Sequence, residues 1–136
     1  MTRVEGVHAW LQQFATCVRS RDITSGSTLF SRDASGFGTR TRHAHNLAEL
    51  IELQWIPTWN STRDFRFLPE TVSFQNSEDA TLVVVMARWT SMGVTPGGET
   101  FPRNGRCTII LKGCGSSPYG YVATHTHFSK DPGGEL

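Results

Sequence analysis

Tyr121-Val122-Ala123-Thr124-His125-Thr126-His127-Phe128-Ser129 lies near the end of the 136-residue chain and runs one residue past a strand read from Tyr119 to Phe128. Side chains alternate faces along a strand, so residues of one parity stand together. That alternation predicts Tyr121, His125, His127 and Ser129 on one face, with the two imidazoles about 6–7 Å apart. Whatever this face looks onto decides what the protein can do.

Working back from this strand, the turn-rich Gly113 to Pro118 separates it from a second strand, Arg106 to Lys112. Before that, Gly93 to Gly105 holds Pro96-Gly97-Gly98 and Asn104-Gly105, and reads as a long connection between hairpin strands. Thr81 to Trp89 is a stronger strand: Leu82-Val83-Val84-Val85-Met86 is apolar at both parities, the pattern of a strand covered on both faces. Phe65 and Phe67, then Val72 and Phe74, alternate with polar neighbours across a break at Leu68-Pro69-Glu70.

Upstream of Pro57 the period is helical. Val4, Val7, Trp10, Leu11, Phe14, Cys17 and Val18 recur at steps of three and four, along one stripe of a first helix. Ile23 to Phe30 is a weaker second helix, because Ser25-Gly26-Ser27 has poor propensity. Ser31 to His45 is polar and glycine-punctuated and suits a loop or one short strand. A third helix starts near Asn46, which caps it with Glu49 three residues on; Leu47, Leu50, Ile51 and Trp55 form its apolar face. Pro57 is expected to end it. Helices first and turn-separated strands afterwards make a segregated α+β layout with an antiparallel sheet. One domain over residues 1–129 with a loose tail at 130–136 follows, since Pro132-Gly133-Gly134 has no core residues.

Thirteen basic against twelve acidic residues leave no field to hold a polyanion, which argues against nucleic acid as a partner. The longest apolar run, Leu82 to Ala87, is far short of the roughly 20 residues of a membrane span, so no membrane anchor is expected. Cys17, Cys107 and Cys114 are odd in number and lack C-x-x-C spacing, and the start of the chain is not signal-like; a reducing, cytoplasmic setting is expected.

The final strand resembles the closing strand of SnoaL-like and DUF4440-type domains of the NTF2-like superfamily, in which an aromatic residue, a β-branched stretch and a histidine-x-histidine end in serine. The association domain of calcium/calmodulin-dependent protein kinase II shares this pattern. Gly105-Arg106-Cys107-Thr108-Ile109-Ile110-Leu111-Lys112 resembles the preceding strand of the same group, and Trp10, Leu29-Phe30 with Asp33, and the third helix follow in a compatible order. Tyr121 stands where tryptophan is usual, and no aspartate matches the general base of the ketosteroid isomerases of this fold. The resemblance implies a cone-shaped fold, three N-terminal helices packed on a curved antiparallel sheet, with an apolar pocket between sheet and third helix. It also implies a homodimer through the outer sheet face, to which the two-sided Leu82 to Met86 independently points.

Two readings of function follow. In the first, the pocket takes a small apolar carbonyl-type molecule and acts on it by proton transfer, as an isomerase, cyclase or dehydratase. His125 and His127 are then the acid–base groups, since imidazole titrates near neutrality, and Asp33 is a carboxylate able to orient one of them. Arg106 supplies a fixed cation, and Tyr121, Trp10, Trp55 and Ser129 contact the ligand. In the second, the chain is a non-catalytic dimerisation or accessory module: the histidines hold the end of the sheet, Asp33 is a turn residue, and Trp10, Phe14, Trp55, Trp59 and Trp89 are core. No cofactor is implied. Of the two His-x-His pairs, 43–45 and 125–127, neither has a cysteine or carboxylate at ligand spacing, so no metal site is assigned.

Overall fold

The computed structural model describes residues 2–133. Helix α1 (Arg3–Ser20) starts on Thr2, whose hydroxyl accepts from the Glu5 N–H at 3.1 Å, and buries Val7, Trp10, Leu11, Phe14, Cys17 and Val18. Val4, at the stripe's beginning, is exposed. Helix α2 is short (Ile23–Ser27) and capped by Asp22. Its Gly26 lets the Trp55 and Trp59 rings approach; a Cβ there would lie 3.0 Å from Trp59.

The third helical segment, α3, covers residues 47–60. Asn46 caps it, accepting from Glu49 N–H at 2.9 Å. Pro57 does not end it. The helix widens into π geometry over Leu50–Trp55, where Ile56 N–H reaches the Ile51 carbonyl, and returns to α geometry over Ile56–Asn60 with Pro57 in its first turn. Proline is tolerated in a first turn because its missing N–H has no helical duty there. The Leu53 carbonyl, which the N–H of a residue 57 would have used, accepts instead from the Thr41 hydroxyl at 2.9 Å. Helix widenings of this kind concentrate at functional sites.

Seven strands form one sheet: β1 (Phe30–Phe37), β2 (Thr62–Phe67), β3 (Ser73–Asn76), β4 (Leu82–Val94), β5 (Thr100–Pro102), β6 (Gly105–Gly113) and β7 (Tyr121–Lys130), in the order β1-β7-β6-β4-β2, with β3 and β5 also on β4. The sheet is mixed rather than purely antiparallel, because β1 runs parallel to β7. Phe30 is read as the end of the second helix and 31–37 as part of a loop or one short strand; together they make an eight-residue edge strand whose inward positions after Phe30 are the small Ala34 and Gly36, so no apolar alternation announces it. The supposed long connection before β6 also holds a strand, β5, paired with the end of β4. Lys130, placed in the tail, is the last residue of β7. Asp131 is tied down by Arg88 at 2.9 Å and by its N–H to the Asn104 carbonyl; residues 134–136 of the expected tail lie outside the described residues.

β4 is the spine. Val83, Val85, Ala87, Trp89 and Ser91 face inward, while Leu82 is exposed and Val84 and Met86 are half-buried on the outer face. Inside, aromatic rings fill the space between helices and sheet: Trp10 stacks on Phe14 at 5.4 Å, Trp55 on Trp59 at 4.7 Å, and Phe30 meets Trp55 edge-on at 4.9 Å. At roughly 150–250 Å² of burial per ring, this cluster dominates the core energy. Among the described residues, no helix is long and apolar enough to cross a membrane.

Candidate functional site

The strand that carries the histidines changes face partway along. Between Ile110 and Leu111 of β6 the pairing with β7 slips: Leu111 pairs Ala123, Ile110 pairs His125, and Thr124 is the extra residue of a β-bulge. A bulge reverses the face of everything beyond it. Tyr121 and Ala123 therefore point inward, whereas His125, His127 and Ser129 point outward, opposite Ile110, Thr108 and Arg106. The predicted common face of Tyr121 with the two histidines is corrected here, and so is the expectation that the histidines look into the space beside α3.

Outside, His125 Nδ1 lies 2.8 Å from the Ser35 hydroxyl. Burial, then the neighbouring His127 and His43, hold its pKa below the ordinary histidine value. The exposed Phe37 ring sits among His43, His125 and His127, with centroids at 5.1, 5.2 and 5.3 Å. His43 and His45 are 3.9 Å apart, and His45 bonds Glu49 at 3.0 Å. Even so, no three His, Cys, Asp or Glu side chains among the described residues are placed to hold a metal ion. Arg106 is exposed and reaches Ser129 Oγ at 3.3 Å; with His127 they line a shallow groove beside Met86 and Arg88. Asp33 is exposed on the irregular part of β1. Trp10 is sealed in the core, its indole N–H spent on the Leu29 carbonyl at 3.1 Å, and Trp55 is equally buried.

None of the eight residues expected at the site lines the inner cavity. That cavity, about 40 Å³, lies between α1, α3 and the inner sheet face; Phe14, Trp59, Phe65 and Phe128 are its apolar walls. Its polar lining is Thr39, Gln54, Thr58, Thr62, Trp89 and Arg103. Gln54 Oε1, Thr58 Oγ1 and Trp89 Nε1 are buried with no hydrogen-bond partner. Buried polar atoms are almost always partnered, because stripping water from one costs about 1–3 kcal/mol. Three orphans converging on one cavity therefore mark a place built to receive a polar group. Gln54 comes from the π-widened turn, and its amide is wedged against Gly38, where a Cβ would come within 2.5 Å of it.

Sequence reasoning missed the polar residues because Gln and Thr carry no motif and Arg103 fell in a stretch read as a connection, and it took Trp89 as core. Parity did hold one clue, since it puts Trp89 on the same face as Val83 and Val85. Titratable chemistry is sparse inside: the Cys107 thiol, on the inner face of β6, is pushed up to about 12 by burial.

No protein-family model matches the chain, and no curated protein matches it. Among solved structures, it is similar to an NTF2-like superfamily protein from Salmonella enterica serovar Typhimurium, at 15% identity and a TM-score of 0.77, over 96% of this chain and 92% of that one. It is similar to a ketosteroid isomerase-like protein from Erwinia carotovora atroseptica at 14% identity and a TM-score of 0.77, over 93% and 95% of the two chains. A CaMKII hub from S. rosetta matches at 15% identity and a TM-score of 0.73, again over 93% and 95%. At such identities what is shared is the fold.

Proposed function

We propose that this chain, which has the NTF2-like fold, is a binding module for a compact small molecule held in the cavity between α3 and the inner sheet face. The observation that carries this reading is the convergence of Gln54 Oε1, Thr58 Oγ1 and Trp89 Nε1, each unpartnered, on one aromatic-walled space. Such a lining offers a donor and acceptors to a ligand and gives it an apolar wall to rest on, the usual division of labour in a small-molecule site. It favours binding over acid–base turnover: among the described residues that line the cavity, Arg103 is the only ionisable one, and a guanidinium stays charged at neutral pH. The two histidines that an isomerase reading needs are on the other side of the sheet.

Ligand-observed NMR with a panel of compact polar fragments tests this. At least one chemical class is expected to bind and to lose affinity in Thr58→Val, which removes one orphan with little change of shape, and in Trp89→Phe, which removes another along with part of the cavity wall. A folded protein that binds no member of the panel sinks the reading.

A second reading is an assembly module working through the outer sheet face. Leu82 is 46% exposed there and Val84, Met86 and Ile110 are half-buried, an apolar strip a partner subunit would cover. The CaMKII hub noted above shares the fold. Light scattering at micromolar concentration distinguishes the cases: a homodimer converted to monomer by Met86→Glu supports it, and a monomeric wild-type chain removes it.

A further inference from the structure

We infer that the molecule bound in the inner cavity is a short-chain monocarboxylate, seated on the Arg103 guanidinium. This rests on the binding reading above and adds the charge and chemical class of what is bound. Arg103 lies in the two-residue link between β5 and β6 and is only 7% exposed. Its position is set by backbone. The Arg103 N–H donates to the Ser91 carbonyl at 2.9 Å, and the buried Ser91 hydroxyl donates back to the Arg103 carbonyl. Two residues on, Gly105 packs so tightly that a Cβ would fall 2.0 Å from the Ser129 carbonyl oxygen and 2.4 Å from Trp89, so only glycine fits. The arginine is held at the cavity by the scaffold rather than drawn there by an acidic partner.

Its side chain is under-used. A guanidinium presents five N–H donors; here one bonds the Thr39 hydroxyl, and the central carbon sits over the Trp89 ring, 5.9 Å from its centre. Among the described residues the ion pairs are His45–Glu49 and Arg88–Asp131, and no carboxylate pairs with Arg103. Burial, and next the like charge of Arg40, both push against its charged form. A buried cation without an anion is strongly disfavoured unless a ligand supplies the opposite charge, and a carboxylate matches the planar fork with two parallel hydrogen bonds.

Size and charge narrow the class. One buried cation and a cavity of about 40 Å³ suit a compact monoanion; a phosphate dianion would need a second buried cation, which the lining lacks. Phe14, Trp59 and Phe65 would receive a short alkyl tail, while the Trp89 indole N–H is a further donor for the head group. Thr39 also lines an open cleft with Arg40, Arg42 and His127, so the hydroxyl that occupies Arg103 stands between the cavity and a basic approach from solvent. An incoming carboxylate replaces Thr39 on the guanidinium.

The test compares charged and neutral isosteres on the wild-type chain: acetate, propionate and butyrate against acetamide, propionamide and butyramide, with inorganic phosphate, at neutral pH and fixed ionic strength, read by titration calorimetry and tryptophan fluorescence. One carboxylate is expected to bind at least about tenfold more tightly than its amide, to change tryptophan emission, and to lose that advantage in Arg103→Met while amide binding persists. Amides binding as tightly as carboxylates would overturn the inference and leave the cavity reading standing. Phosphate binding better than every carboxylate would overturn the assigned class. No binding by either series would overturn the inference, while the fragment panel separately decides the cavity reading. The wild-type comparison decides even if Arg103→Met does not fold.

Discussion

Beyond its bulge, β7 has two faces that differ in what they display and in what surrounds it. The outer face carries His125, His127 and Ser129, side chains with familiar chemistry, and each has solvent or a simple neighbour: Ser35 for His125, Arg106 for Ser129. The inner face carries Thr126 and Phe128, and the cavity beside Phe128 gathers Gln54, Thr58, Trp89 and Arg103. Residue type alone ranks the outer face first. Ranking by how poorly each polar group is satisfied reverses the order, because a polar side chain in water is already bonded, whereas one buried without a partner keeps its bonding capacity for a ligand.

The comparison breaks most visibly at Gly105. Gly105→Ala forces a Cβ against backbone and the Trp89 ring, and is expected to lower unfolding free energy by more than ~3 kcal/mol in urea denaturation. A stability equal to wild type would mean that the start of β6 shifts freely and that Arg103 is not positioned by it. Next in size is Arg103→Met. Replacing a buried, anion-free cation by an apolar side chain is expected to raise the stability of the ligand-free protein by about 1–2 kcal/mol. The outer-face control Arg106→Met should stay within ~0.5 kcal/mol. A loss of stability in Arg103→Met would show the arginine to be a structural residue, and the contrast between the faces would go with it.

Acidity probes the outer face instead. The folded-state pKa of His125 lies below its unfolded value, so as pH falls through about 6.5 the unfolded chain takes up a proton that the folded chain resists. Stability present above that range is therefore lost on going down through it toward the folded pKa. Melting temperature followed against pH should decline across this window in wild type and decline less in His125→Asn; identical profiles would deny His125 its buried, neutral role. The smallest effect is chemical. Cys114 is only half-buried and its pKa is lowered, first by the Ser116 hydroxyl, while burial raises those of Cys17 and Cys107. Native protein should release one thiol equivalent rapidly to Ellman's reagent, and denatured protein all three; rapid reaction of Cys107 would mean that the inner face opens.

Much of the fold was legible. The stripe of α1, the Asn46 cap and strands β2, β3, β4, β6 and β7 follow from spacing, because burying one face imposes a period on the apolar residues that do it. β1 was legible only as the alternative of one short strand, since an edge strand with Ala34 and Gly36 inward after Phe30 leaves no such period. The passage of α3 through Pro57 was hidden for another reason: the hydroxyl that satisfies Leu53 belongs to Thr41, twelve residues away. Of the site, the inward side of Trp89 was readable from parity alone.

By itself, then, the sequence determined which segments become helix or strand and which face of most of them is buried, since periodicity is a local consequence of backbone geometry. Only the tertiary structure decided that His125 and His127 turn away from the interior, because one extra residue at Thr124 reverses a face without changing composition or alternation. It alone decided that Thr39, Gln54, Thr58, Trp89 and Arg103, drawn from four separate stretches of chain, meet at one cavity and leave their polar groups short of partners. Whether a buried polar group is satisfied depends on what the rest of the chain brings within hydrogen-bond distance, and no local pattern carries that information.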